Sequence, residues 1–163
     1  DNPSLWLVGW GANTVHGIYP KGSIGGIQME DKGQVTIESI DGGGGRMEAY
    51  RTHYRWDVGL TVRDWRYVVR IQFDLEDVIA AGTSGPVLAD LMAKALRRIP
   101  SLGMCRPVFY ANRDTLDALD VQAVNKATMA FSTIEDAQGK PVTRFRGVPI
   151  RRCDAILTNE TGI

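Results

Sequence analysis

Tyr50-Arg51-Thr52-His53-Tyr54-Arg55-Trp56-Asp57-Val58-Gly59-Leu60-Thr61-Val62-Arg63-Asp64-Trp65-Arg66-Tyr67-Val68-Val69-Arg70-Ile71-Gln72-Phe73 carries the clearest periodic signal in this chain. Tyr50, Tyr54, Trp56, Val58, Leu60 and Val62 hold even positions, while Arg51, His53, Arg55, Asp57, Thr61 and Arg63 hold odd ones. From Trp65 the parity inverts, so Trp65, Tyr67, Val69, Ile71 and Phe73 are apolar on odd positions and Arg66, Arg70, Gln72 and Asp74 are polar. Alternation with period two places successive side chains on opposite faces of a strand. The inversion at Arg63-Asp64 is a one-residue phase slip, which predicts a bulge in one long bent strand, with a hairpin as the close competitor. Arg-Asp is poor chemistry for a two-residue hairpin turn. The odd parity puts Trp65 on the face that packs against a core.

The β pattern extends upstream. Ser4–Trp10 is an apolar and aromatic run suited to a strand with little exposed face, and Val15–Tyr19 is a second short strand closed by Pro20-Lys21-Gly22. Gly22 to Gly33, with its glycines and mixed charges, reads as a loop, and Gln34 to Ile40 alternates as a strand with Val35 and Ile37 on one face. Gly42 to Gly45 lacks the following Lys-Ser/Thr pair of a phosphate cradle, so a flexible hairpin connection is expected.

Downstream the period changes. Thr83-Ser84-Gly85-Pro86 is a helix start, and Val87, Leu88, Leu91, Met92, Ala95, Leu96 and Ile99 follow at helical spacing. Arg97-Arg98 suits the negative end of the helix dipole, and Pro100 ends the element. Val108–Ala111 reads as a buried strand, and Asn112 as the cap of a second helix with Leu116, Leu119 and Ala123 on its apolar face. Val142 to Ile150 is a strand broken at Gly147 and Pro149. Many strands, then helix, strand, helix, strand, is an α+β order without a regular βαβ repeat. The expected regions are a β-rich one at 1–83 and an α/β one with two helices at 84–163.

Composition narrows the function classes. The chain has 163 residues with 19 Lys+Arg against 19 Asp+Glu, so bulk positive charge is not available for gripping nucleic acid. No apolar stretch is long enough for a transmembrane helix, and two cysteines cannot form a disulfide framework. The neutrality hides an asymmetry. Residues 1–80 hold 8 basic and 11 acidic groups, and residues 81–163 hold 11 and 8, giving −3 and +3. Polarised surfaces of this kind suit self-association by complementary patches, and equally an ordinary surface.

Candidate chemistry is sparse. Asp114, Asp117 and Asp120 recur every third residue on the second helix and are the one acidic constellation able to hold a metal or act in acid–base work. The plainer reading is a solvated helix face, with Asp114 complementing the dipole. His16, His53, Cys105 and Cys153 lack the close pairs of a zinc site. No catalytic, cofactor-binding or metal-binding residue is therefore assigned, and no cofactor is expected. Arginine is the stronger signal, with Arg46, Arg51, Arg55, Arg63, Arg66 and Arg70 in one segment and Arg144, Arg146, Arg151 and Arg152 in another. Arginine favours bidentate pairing and interfaces. Trp6, Trp10, Trp56 and Trp65 fall on apolar faces and point to core or interface packing rather than a sugar platform.

Three separated strings carry a resemblance. Ser4-Leu5-Trp6-Leu7-Val8-Gly9-Trp10-Gly11-Ala12-Asn13-Thr14-Val15-His16-Gly17-Ile18-Tyr19-Pro20-Lys21-Gly22, Tyr50–Asp57 continuing through Val62–Arg70, and Phe145-Arg146-Gly147-Val148-Pro149-Ile150-Arg151-Arg152-Cys153-Asp154 resemble segments of tailed-bacteriophage and prophage major capsid proteins of the Hong Kong 97-like fold. The resemblance implies a non-enzymatic virion subunit that tiles a shell as hexamers and pentamers around double-stranded DNA without reading its sequence. It also implies scaffolding protein as a partner, no membrane, and assembly in the bacterial host cytoplasm. By the same analogy 1–83 is peripheral-lobe-like and 84–163 axial-lobe-like. The family's N-terminal arm, extended loop and spine helix have no counterpart after Asp1, so the expectation is a C-terminal portion. The competing expectation is a small metal- or ligand-binding enzyme domain using the Asp114/Asp117/Asp120 face.

Overall fold

Leu5 and Leu7, alternate residues of the first apolar run, are fully buried, and the strand they belong to organises the larger part of the molecule. The computed structural model describes residues 2–38, 43–80, 88–125, 131–135 and 141–160. The chain folds as two units, one comprising Asp1–His16 with Val62–Ile163 and the other Gly17–Thr61. The class is α+β, as expected.

In the larger unit β1 (Ser4–Trp10) lies between two antiparallel neighbours. On one side is β6 (Val68–Gln72), in register Leu5↔Ile71 and Leu7↔Val69; on the other is β7 (Arg106–Ala111), in register Leu7↔Phe109. The sheet continues from β7 to β10 (Val148–Arg152), parallel, then to β9 (Pro141–Phe145) and β8 (Phe131–Glu135), both antiparallel. Strands from both sides of residue 83 thus share one sheet. The start of β2 (Val15–Ile18) pairs in parallel with Trp10. Gly9 has a packing reason to lack a side chain: a Cβ there would sit 2.9 Å from Cys105 Sγ and 3.1 Å from the Tyr67 ring.

Among the described residues the larger unit has three α-helices, α1 (Leu75–Ala80), α2 (Leu88–Arg98) and α3 (Arg113–Asn125), with α2 against β6 and α1 against α3. On α2 the buried residues Leu88, Ala89, Met92, Ala93 and Ala95 follow helical spacing, and Arg97 and Arg98 occupy the last turn. Its expected start at Thr83–Pro86 lies outside the described residues. Asn112 caps α3 as the sequence predicts: the Thr115 N–H donates to Asn112 Oδ1 at 2.9 Å. Gln122 of α3 joins the three helices. It accepts from the Leu88 N–H at 3.1 Å and donates through Nε2 to the Val78 carbonyl at 3.2 Å. Phe109 and Phe145 meet edge to face, with ring centroids 6.2 Å apart, in the middle of the core.

Several expectations need correction here. The phase slip at Arg63-Asp64 is neither a bulge nor a hairpin. The Arg63 N–H donates to the Thr14 carbonyl, and a 3-10 turn over Trp65–Tyr67 follows. Asp64 caps that turn by accepting the Arg66 N–H at 3.1 Å, while the Arg66 guanidinium grips both oxygens of the same carboxylate. The parity inversion is a turn held by a side chain. Tyr67, Val69, Ile71 and Phe73 are buried as the alternation predicts, but Trp65, at the turn's start, is 79% exposed. The strand expected from Val142 to Ile150 does break at Gly147, where Arg146 (φ 49) and Gly147 (φ 83) are both left-handed as a tight type I′ turn requires, but not at Pro149, which lies within β10.

The smaller unit is built on an antiparallel ribbon of β3 (Gln28–Glu38) and β4 (Arg46–Arg55), paired from Gln28↔Arg55 to Glu38↔Arg46. The glycine-rich segment thus joins two strands, as expected, although residues 39–42 lie outside the described set. The loop expected to last until Gly33 ends at Ile27, because β3 starts earlier. A bulge between Asp31 and Gln34 hides its periodicity, with Gly33 at φ +67 and its N–H donating to Asp31 Oδ1 at 2.9 Å. A short strand β5 (Gly59–Val62) follows the ribbon, so the expected single strand from Tyr50 to Phe73 is divided among β4, β5 and β6.

Candidate functional site

Both faces of the β3–β4 ribbon are open, and this follows from its residues. The bulge moves Met29 to the face of Tyr54 and Tyr50, while Val35 and Ile37 share the opposite face with Met47. Each face therefore carries apolar side chains among charges, and neither is covered: Tyr50 is 83% exposed, and Met29, Tyr54 and Met47 are exposed too. A two-stranded ribbon wet on both sides is marginal by itself. In the same unit, Ile18, Tyr19, Trp56 and Val58 line an open cleft of about 550 Å³, with Asp57 held by Arg55 at 2.8 Å. The even-numbered apolar residues of the sequence pattern thus form surface, not core.

In the larger unit the exposed aromatic is Trp65, which overhangs a groove of about 520 Å³ beside β6 together with Arg66, Arg70 and Arg98. Arginine behaves as pairing chemistry predicts. Asp64 and Arg66 form a bidentate pair that holds the carboxyl below the usual aspartate range and raises the guanidinium. Arg152 and Asp154 do the same, and Lys32 lowers Glu30 on the ribbon. Arg146 lies over the Phe145 ring at 5.5 Å.

Asp114, Asp117 and Asp120 line the exposed face of α3, as spacing predicts. They do not converge on a pocket. Asp114 Oδ2 accepts from Thr158 Oγ1 at 2.9 Å, and Asp117 lies near enough to Arg152 to help raise its pKa. His16 lies in the larger unit with its Nδ1 buried and without a hydrogen bond; His53 lies on the ribbon opposite Glu30. Cys105 and Cys153 are free and half-buried, and burial raises the Cys105 pKa, which disfavours a nucleophilic thiolate. Among the described residues no three His, Cys, Asp or Glu side chains are grouped as a metal site would need, and no helix is long and apolar enough to cross a membrane. Sequence reasoning missed the groove beside β6, because it depends on the sheet order and on the packing of α2 against that strand.

Open ribbon faces, an exposed tryptophan and paired arginines are the equipment of a structural protein that works through its surface. The family model of the major capsid protein GP7 matches residues 1–163, and the chain belongs to that family. It is a structural protein of a phage capsid and its place is the virion. No curated protein matches the chain.

Proposed function

We propose that this protein is the repeating tile of a tailed-phage or prophage shell with the Hong Kong 97-like fold, self-assembling as hexamers and pentamers around double-stranded DNA. The observation that carries the reading is the family match over the whole chain, joined to a ribbon whose apolar residues lie open on both faces. Repetition explains how modest patches suffice, since each subunit in a closed shell uses the same contacts many times. The balance of 19 basic against 19 acidic groups fits a wall that encloses DNA without gripping it. Scaffolding protein as a helper, independence of membrane and assembly in the host cytoplasm belong to the same proposal. So does the division into a peripheral-lobe-like 1–83 and an axial-lobe-like 84–163, with the central sheet shared between them.

Electron microscopy of particles made by the protein, with scaffold supplied, tests this directly. Sixfold and fivefold clusters in one closed shell are expected. Open sheets or filaments without fivefold vertices would contradict the hexamer–pentamer scheme.

A further inference from the structure

Trp65 stands exposed at the head of a cationic trough. Two grooves, of about 520 Å³ and about 450 Å³, follow β6 and share Val69, Arg70 and Arg98 as walls, so one runs on into the other. Trp65 and Arg66 line only the first, and Lys94 of α2 only the second. Four cations and no carboxylate are among the lining residues, in a chain whose charges balance at 19 against 19. Arg66 and Arg70 are engaged by Asp64 and Glu160. Lys94 and Arg98 are exposed, enter no ion pair among the described residues, and supply the surplus charge. Four positions apart on α2, they are neighbours on one face, about 6 Å along the helix axis.

The indole is carried on a braced turn. Trp65 opens the 3-10 turn that Asp64 caps; its carbonyl accepts from the Val68 N–H, and the Arg66 guanidinium grips the capping carboxylate. A backbone fixed in this way offers an aromatic face at low entropic cost. An exposed aromatic by itself says little. Beside free cations it completes the two components of a single-strand nucleic-acid site, a face on which a base stacks and positive charge along the path of the backbone.

We infer that the trough along β6 binds a single-stranded nucleic-acid segment, with a base stacked on Trp65 and neighbouring phosphates answered by Arg98 and Lys94. The inference rests on the capsid reading above, which sets nucleic acid beside the protein. The indole chooses this partner over an acidic peptide, whose carboxylates would meet the cations and leave the ring unused. It also chooses a single strand over a duplex, whose bases stack on one another and are closed to the ring. Two free cations make a weak contact that reads no sequence, in keeping with a neutral chain.

Fluorescence anisotropy of a labelled oligothymidylate of about ten nucleotides, titrated with the intact chain over a range of salt, provides the test. Lys94→Gln with Arg98→Gln should weaken binding roughly tenfold or more and flatten the slope of log affinity against log salt by about 1.4, the value for two phosphates of a single strand. Trp65→Ala should weaken binding about five- to hundredfold and leave that slope unchanged, and Trp65→Phe should regain most of the loss. All three side chains are exposed, so an unchanged melting midpoint verifies the fold of each variant. A duplex of the same length and polyglutamate should each bind roughly tenfold more weakly than the single strand. A duplex or polyglutamate bound as tightly, or a Trp65→Ala chain that binds unchanged, would overturn the inference. So would shells that form without nucleic acid from the unmutated chain and fail to form from Trp65→Ala, since the trough would then receive a neighbouring subunit. A protein that builds shells but does not bind the oligothymidylate would overturn the inference and leave the capsid reading standing. Binding with the expected variant pattern by a chain that builds no shell would support the trough and count against the capsid reading.

Discussion

Arg70 and Glu160 stand 90 positions apart in the chain, and their side chains meet at 2.8 Å. Arg70 also donates through Nε to Ser4 Oγ at 2.8 Å and lies over the Trp6 ring at 5.7 Å. The backbone around Glu160 repeats the attachment: its N–H donates to the Asn2 carbonyl, and its own carbonyl accepts from Gln72. The segment ending at Glu160 is therefore strapped to the β1–β6 pair by charge and by backbone at once. Both side chains are mostly buried, at 18% and 20% exposure, so solvent screens the pair less than it would a surface bridge. Glu160→Ala should lower stability by about 1.5–3 kcal/mol, the range for hydrogen bonds to charged groups. Urea unfolding measures this, and an unchanged midpoint would show that the strap adds nothing.

Trp65→Ala should leave stability within about 0.5 kcal/mol, because the ring is in solvent. Phe109→Ala, at a fully buried position, should cost about 3–5 kcal/mol. Comparing the two in one thermal-melting series separates surface aromatic from core aromatic. Equal losses would contradict the placement of Trp65.

Gln122→Leu should destabilise by about 2 kcal/mol or more. It leaves the buried Leu88 N–H and Val78 carbonyl without the side-chain partner each has now. Hydrogen exchange should quicken at the first turn of α2 before it quickens in β1. Uniform exchange across both elements would argue against a local bracket.

Gly147→Ala forces a Cβ into φ +83 and should cost about 1–2 kcal/mol, while no atom stands in the way of the added methyl. Gly147→Asn, which tolerates this conformation better, should recover part of the loss. If Ala and Asn behave alike, the penalty is not conformational.

Acid should weaken the fold in a defined window. Asp64, Asp154 and Glu30 each have a carboxyl lowered by a neighbouring cation, with the side-chain hydrogen bond as the largest cause. A depressed folded value means the stabilisation is complete above the ordinary carboxylate pKa and disappears as pH falls through the folded value. Melting temperature followed from pH 7 downward should hold until the ordinary carboxylate range and decline below it. All three groups are exposed, so salt should shrink the effect. A decline beginning near neutrality would point to other groups.

Much of the core was legible from residue order because burial there follows local periodicity. Leu5 and Leu7, the α2 stripe through Met92, and the Asn112 cap all express a rule that acts within a few positions. Trp65 was misplaced because one side chain, Asp64, ends the strand and restarts it after a 3-10 turn, and alternation cannot tell such a turn from a bulge. β3 was shortened because its bulge puts Met29 and Val35, both odd-numbered, on opposite faces. Tyr50 and Tyr54 show strand periodicity truthfully, but periodicity does not say whether the apolar face meets the chain's own core or solvent. The aspartates of α3 were placed correctly on one exposed face, and only their neighbours Thr158 and Arg152 show what answers them. The groove beside β6 depends on which strands pair, and those pairings join residues about 65 positions apart.

Sedimentation of the protein after assembly with scaffold tests the central claim most directly. A shell subunit should run as one sharp boundary of large, closed and uniform particles, seen also by light scattering. Material that remains monomeric under every assembly condition, with scaffold present, would contradict it.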